Sequence, residues 1–84
     1  MKYLQFKYNP NKELYITFHK LLELRDCKIY ISKNLYLELL HYFYELMDQK
    51  FLCTGILNFP KMNKIIIKSD RVRDGIFYVG NDLK

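Results

Sequence analysis

Across residues 35–47, ten of thirteen side chains are apolar or aromatic, the exceptions being Glu38, His41 and Glu45. At about 100° per residue, these three, extended by Asp48 and Gln49, form a single polar stripe on a helix. The stripe covers about a quarter to a third of the circumference, whereas a surface helix of a monomer shows roughly the reverse balance. The segment therefore has to be wrapped by the rest of the fold, by a second copy or by a partner. Leu35, Tyr36, Leu39, Phe43, Leu46 and Met47 fall on the arc assigned to the core. Leu37 and Tyr44 fall on the opposite side, next to His41. Leu37, His41 and Tyr44 are thus the expected protein interface, and a homodimer built on them is one way to cover it.

Eighty-four residues make one domain, spanning 1–84. A chain of this length buries roughly 60–65% of its unfolded surface. Half of its residues are hydrophobic and eight are Tyr, so some aromatic surface has to remain near the outside. Tyr suits that position, with an apolar ring and a hydroxyl that tolerates water, and its enrichment at interfaces favours a binding role.

The elements around the helix read as follows. Residues 2–8 have the β propensity of a strand, and Asn9-Pro10-Asn11-Lys12 is a turn. Residues 11–25 fit a helix through Leu14, Phe18, Leu21, Leu22 and Arg25, although Leu14–Phe18 also suits a strand. The helical spacing persists for three turns and is preferred. Residues 27–32 form a short strand with Cys27, Ile29 and Ile31 on one face, making Cys27 a small core residue. Ser32 or Asn34 caps the helix of residues 34–49. Residues 51–59 are apolar on both faces, and 63–69 and 75–80 are strands joined by a charged connection. The expected fold is α+β: a small single domain with an antiparallel sheet packed on one long, mostly buried helix (34–49). A possible second helix (11–25) and a C-terminal β-hairpin (63–80) complete it.

The net charge of +5 is unevenly spread. Lys61, Lys64, Lys68, Arg71 and Arg73 are opposed locally only by Asp70. With Phe77 and Tyr78 nearby, these five are the expected nucleic-acid-binding residues, because a cationic ribbon beside aromatics can follow phosphates and stack on bases. Nothing in the ribbon specifies a base sequence.

Catalytic and metal signatures are missing. Glu38-x-x-His41 is half of a di-iron carboxylate motif, but His19 has no Glu three residues before it to supply the other half. Neither histidine has the spacing of a nucleophile–base pair. Asp70 and Asp74 lie among arginines and are expected to pair with Arg71 and Arg73. There is no glycine-rich phosphate loop and no zinc spacing at Cys27 and Cys53. The expectation is a protein that is not an enzyme and takes no metal, cofactor or small-molecule substrate. The first ten residues lack a signal-peptide core and no run approaches the length of a membrane span, so the expected location is the cytoplasm of a host cell, with reduced thiols.

The absence of Ala and Trp beside abundant Lys, Ile, Asn and Tyr is the mix that AT-rich codons supply. Together these features suggest a small interaction protein that binds a nucleic acid or a nucleoprotein machine. A phage or mobile-element inhibitor of anti-CRISPR or host-takeover type would have this size and composition. The alternative follows from element order. A helix (11–25), a strand (28–32), a helical region from residue 34 and a terminal hairpin (65–79) resemble the order of a winged-helix DNA-binding domain. That resemblance implies a dimeric transcriptional regulator with Arg71 and Arg73 in the wing. It covers most of the chain but carries no diagnostic motif.

Overall fold

Cys27, Ile29 and Ile31 are fully buried, while Lys28 and Tyr30 between them are half-buried. Side chains half-covered even on the second face have neighbouring strands on both edges, and this strand, β2 (Cys27–Ile31), is the third of five. The computed structural model describes residues 3–42 and 55–80. In chain order these form β1 (Tyr3–Lys7), α1 (Leu14–Glu23), β2, α2 (Lys33–Tyr42), β3 (Ile56–Phe59), a 3-10 turn (Pro60–Met62), β4 (Lys64–Lys68) and β5 (Ile76–Gly80). The sheet order is β1-β5-β2-β4-β3, antiparallel except for the β2–β4 pair.

This is the expected α+β class, with three changes of detail. Residues 11–25 do contain a helix, α1, whose Phe18 and Leu21 are buried, so the sheet packs on two helices rather than one. Of the helix expected over 34–49, α2 accounts for the part up to Tyr42, and residues 43–49 lie outside the described residues. The C-terminal hairpin is not formed. β4 pairs with β3 and β2, and β5 pairs with β1 and β2, so β2 lies between the two strands expected to be partners. The connection from β4 to β5 instead crosses the end of β2. It is pinned there by Ser69 N donating to Ile31 O and by Asp74 accepting from Ser32. β2, with Cys27, Ile29 and Ile31 all fully buried on the helix side, occupies that gap and pairs with both strands. The arrangement also departs from a winged helix, since β4 and β5 are not paired and 65–79 makes no wing.

α1 lies in the crossover from β1 to β2, two strands that run parallel, and α2 follows β2. One buried cluster that takes residues from both helices and from alternate positions of the strands puts α1 and α2 on the same face. In it Phe18, Leu21, Leu35 and Leu39 from the helices meet Cys27, Ile29, Ile31, Leu57, Ile66, Phe77 and Val79 from the sheet. At the edge of this layer Phe6 stacks on Phe77, with centroids 5.1 Å apart and rings inclined by 11°.

Candidate nucleic-acid interface

Paired residues in a sheet project to the same side, so the register maps the face away from the helices. One row runs Tyr3, Gly80, Lys28, Ile65 and Asn58 across the five strands. The next runs Gln5, Tyr78, Tyr30, Ile67 and Ile56, with Lys7 and Ile76 beyond it. Among the described residues neither helix covers this face. It carries three tyrosines, two lysines and no carboxylate at any of these positions.

Three local facts assemble the tyrosines. Tyr30 and Tyr78 are directly opposed on β2 and β5. Tyr3 stands two strands from Tyr30, too far for ordinary neighbours, but Gly80 between them has no side chain. The Tyr3 ring leans across that gap to meet Tyr30 edge-on, with centroids 5.4 Å apart and an interplanar angle of 72°. Lys28 then places its Nζ 5.7 Å from the Tyr30 ring centroid. The result is a half-buried aromatic platform beside ammonium groups, on a flat support of backbone hydrogen bonds.

The five basic residues read from the sequence are not one ribbon. Lys61 is exposed in the 3-10 turn before β4, whereas Lys68, Arg71 and Arg73 are exposed at or beyond its other end. A five-residue strand puts these ends about 16 Å apart. Lys64 is a correction: it is 1% exposed and cannot reach a phosphate. Its Nζ donates to Leu21 O at 2.6 Å and Leu22 O at 3.0 Å, and lies 4.8 Å from the Phe59 ring centroid. Burial pushes this amine below the usual lysine value, with Cys27 pulling the other way. Phe77, expected near the ribbon, is in the core, and only Tyr78 of that pair reaches the open face. Of the expected protein interface, Leu37 is 51% exposed and His41 is exposed, while Tyr44 lies outside the described residues.

Asp74 is also a correction. Instead of meeting Arg71 and Arg73, its carboxylate accepts from Ser32 Oγ at 2.8 Å and Asn34 Nδ2 at 2.6 Å. Ser32 Oγ accepts in turn from Leu35 N at 3.1 Å, the N-cap of α2. Tyr8 joins this group through Ser32, and its phenol is pushed up chiefly by burial. A cleft of about 260 Å³ opens beside Tyr8, Asn34, Glu38 and Asp74. Its polar groups serve the helix start and the β4–β5 connection, and no trio of metal-ligating side chains occurs among the described residues.

Sequence reasoning missed Tyr3, Lys7, Lys28, Tyr30 and Tyr78 as a group. Tyr30 lies out of phase with Cys27, Ile29 and Ile31, so its exit on the other face was readable. Its neighbours were not, because they come from β1 and β5, at the two ends of the chain. No helix of the described residues is long and apolar enough to cross a membrane. Compared with known proteins, the chain matches no family, no curated sequence and no solved structure, so function has to be argued from the geometry of this face.

Proposed function

We propose that the chain binds single-stranded nucleic acid on the open face of its sheet, with bases stacked on the tyrosines and phosphates met by Lys7 and Lys28. The observation that carries this reading is the meeting of Tyr3, Tyr30 and Tyr78 on a carboxylate-free face flanked by lysines. Unstacked bases offer flat apolar surfaces to such rings, worth about 1–3 kcal/mol per base. The bases of a duplex are already stacked and present only edges in grooves, which a flat sheet face does not enter. The net charge of +5 attracts the polyanion over a longer range. The reading involves no catalytic step. A chain that sequesters or covers a single strand would also interfere with a nucleoprotein machine that uses one, as an inhibitor of phage type would.

The test is fluorescence anisotropy with labelled oligothymidylate, oligouridylate and a mixed-sequence duplex across a salt series. The expected result is tighter binding of a single strand than of the duplex. Two phosphate contacts give a log–log slope of about −1.4 for single strands. Equal or tighter binding of the duplex would overturn the reading. So would full affinity in a Tyr30→Leu, Tyr78→Leu double variant that retains its fold.

A further inference from the structure

A base that stacks on this platform needs a face of the Tyr30 ring, which stands in a T-shaped pair with Tyr3. In the free protein that face already has an occupant, the Lys28 ammonium. Lys28 is two residues before Tyr30 on the same side of β2, opposite Gly80 on β5 and Ile65 on β4. We infer that Lys28 is a displaceable cap on Tyr30, which a base pushes off the ring and which then engages the adjacent phosphate. The inference rests on the nucleic-acid reading of the open face.

The exchange is favourable for a stated reason. A cation 5.7 Å from the centroid of a half-buried tyrosine ring makes a weaker contact than a stacked base, and the ammonium leaving the ring finds a full negative charge on the incoming strand. Lys28 thereby acts twice with opposite signs. Its charge strengthens binding through the phosphate, and its residence on the ring opposes the stack. The phosphate contact fades with salt, whereas a cation–π contact at close range is screened far less.

Two opposed roles give a signature that a simple phosphate-binding lysine lacks. The experiment compares wild type, Lys28→Met, Tyr30→Leu and the double variant, each checked for fold by circular dichroism. Affinity for an oligothymidylate about ten nucleotides long is followed from roughly 50 mM to roughly 1 M salt. The Lys28→Met line is expected to be shallower than wild type by about 0.7. It should also cross it, binding more weakly at low salt and about two- to fivefold more tightly at high salt. In the Tyr30→Leu background the same substitution should flatten the line without a crossing. Lines that converge without crossing would overturn the cap, leaving Lys28 a plain phosphate contact, and an unchanged slope would overturn the phosphate engagement. Failure of the wild type to bind at low salt, or full affinity of Tyr30→Leu, would instead remove the open-face reading and the cap with it.

Discussion

Lys64 Nζ donates a 2.6 Å hydrogen bond to Leu21 O, so β4 caps a helix that ended more than forty residues earlier in the chain. The last carbonyls of a helix lack intrahelical donors and carry the negative end of its dipole. A buried ammonium there is held by charge, by two hydrogen bonds and by the Phe59 ring.

Lys64→Met keeps the apolar stem and removes the donor. Leaving Leu21 O and Leu22 O unpaired in the interior should cost about 1–3 kcal/mol, read as a lower urea midpoint with an unchanged m-value. The pH dependence has a definite sign. The folded amine releases its proton below the unfolded value of 10.5, so the unfolded chain binds more protons between the two values. Stability conferred by Lys64 therefore rises as pH climbs from neutrality towards 10.5. Cys27 and Tyr8, both pushed up by burial, have the opposite effect as pH passes about 9 to 10; Tyr8 is common to both proteins, and losing Lys64 removes the charge that holds the Cys27 thiol down, which steepens the variant's decline. The wild-type minus Lys64→Met difference should thus grow with pH.

Ser32→Ala tests the junction between α2 and the β4–β5 connection. The hydroxyl caps Leu35 N and donates to Asp74, so its loss removes an N-cap and strips one partner from a carboxylate. The expected cost is about 1–2 kcal/mol, measured by thermal or urea unfolding. Asn34→Ala removes only the outer, exposed bond to Asp74 and should cost less.

Tyr36 is 2% exposed, and among the described residues its hydroxyl has no hydrogen-bond partner. Burying a hydroxyl unpaired costs about 1–3 kcal/mol, so Tyr36→Phe should stabilise the protein, by up to about 1 kcal/mol. A fall in the unfolding midpoint would mean that the hydroxyl has a partner.

The open face and the ribbon read from the sequence make different predictions for nucleic-acid affinity. Tyr78→Leu should weaken binding to oligothymidylate by about 1–3 kcal/mol, the loss of one stacked base. Lys61→Gln, in the 3-10 turn before β4, and Leu37→Ser, on α2, should leave it within about twofold. Lys64→Met should leave the salt slope of binding unchanged, because that amine never meets a phosphate.

Local pattern alone carried much of the fold. The alternation in β2, the 3.6-residue period of Leu14, Phe18 and Leu21, and the Ser32 cap all follow from neighbours along the chain, and each is present in the structure. The hairpin of 63–80 failed because pairing of two adjacent strands is a default that a third strand, here β2, can displace. Lys64 failed for a related reason. Its position in a basic stretch says polar surface, and only packing reveals that it alternates inward with Ile66 to meet the end of α1.

What the sequence determined by itself is the set of elements and the phase of each apolar face, because propensity and periodicity act over a few residues. What only the tertiary structure decided is which faces and which charges meet. Both helices pack on the same side of the sheet, leaving its other face outside the helix layer, and Gly80 opens the gap through which Tyr3 reaches Tyr30. These relations join β1, β2 and β5 from distant parts of the chain, and strand order and register, which no local signal encodes, bring them together.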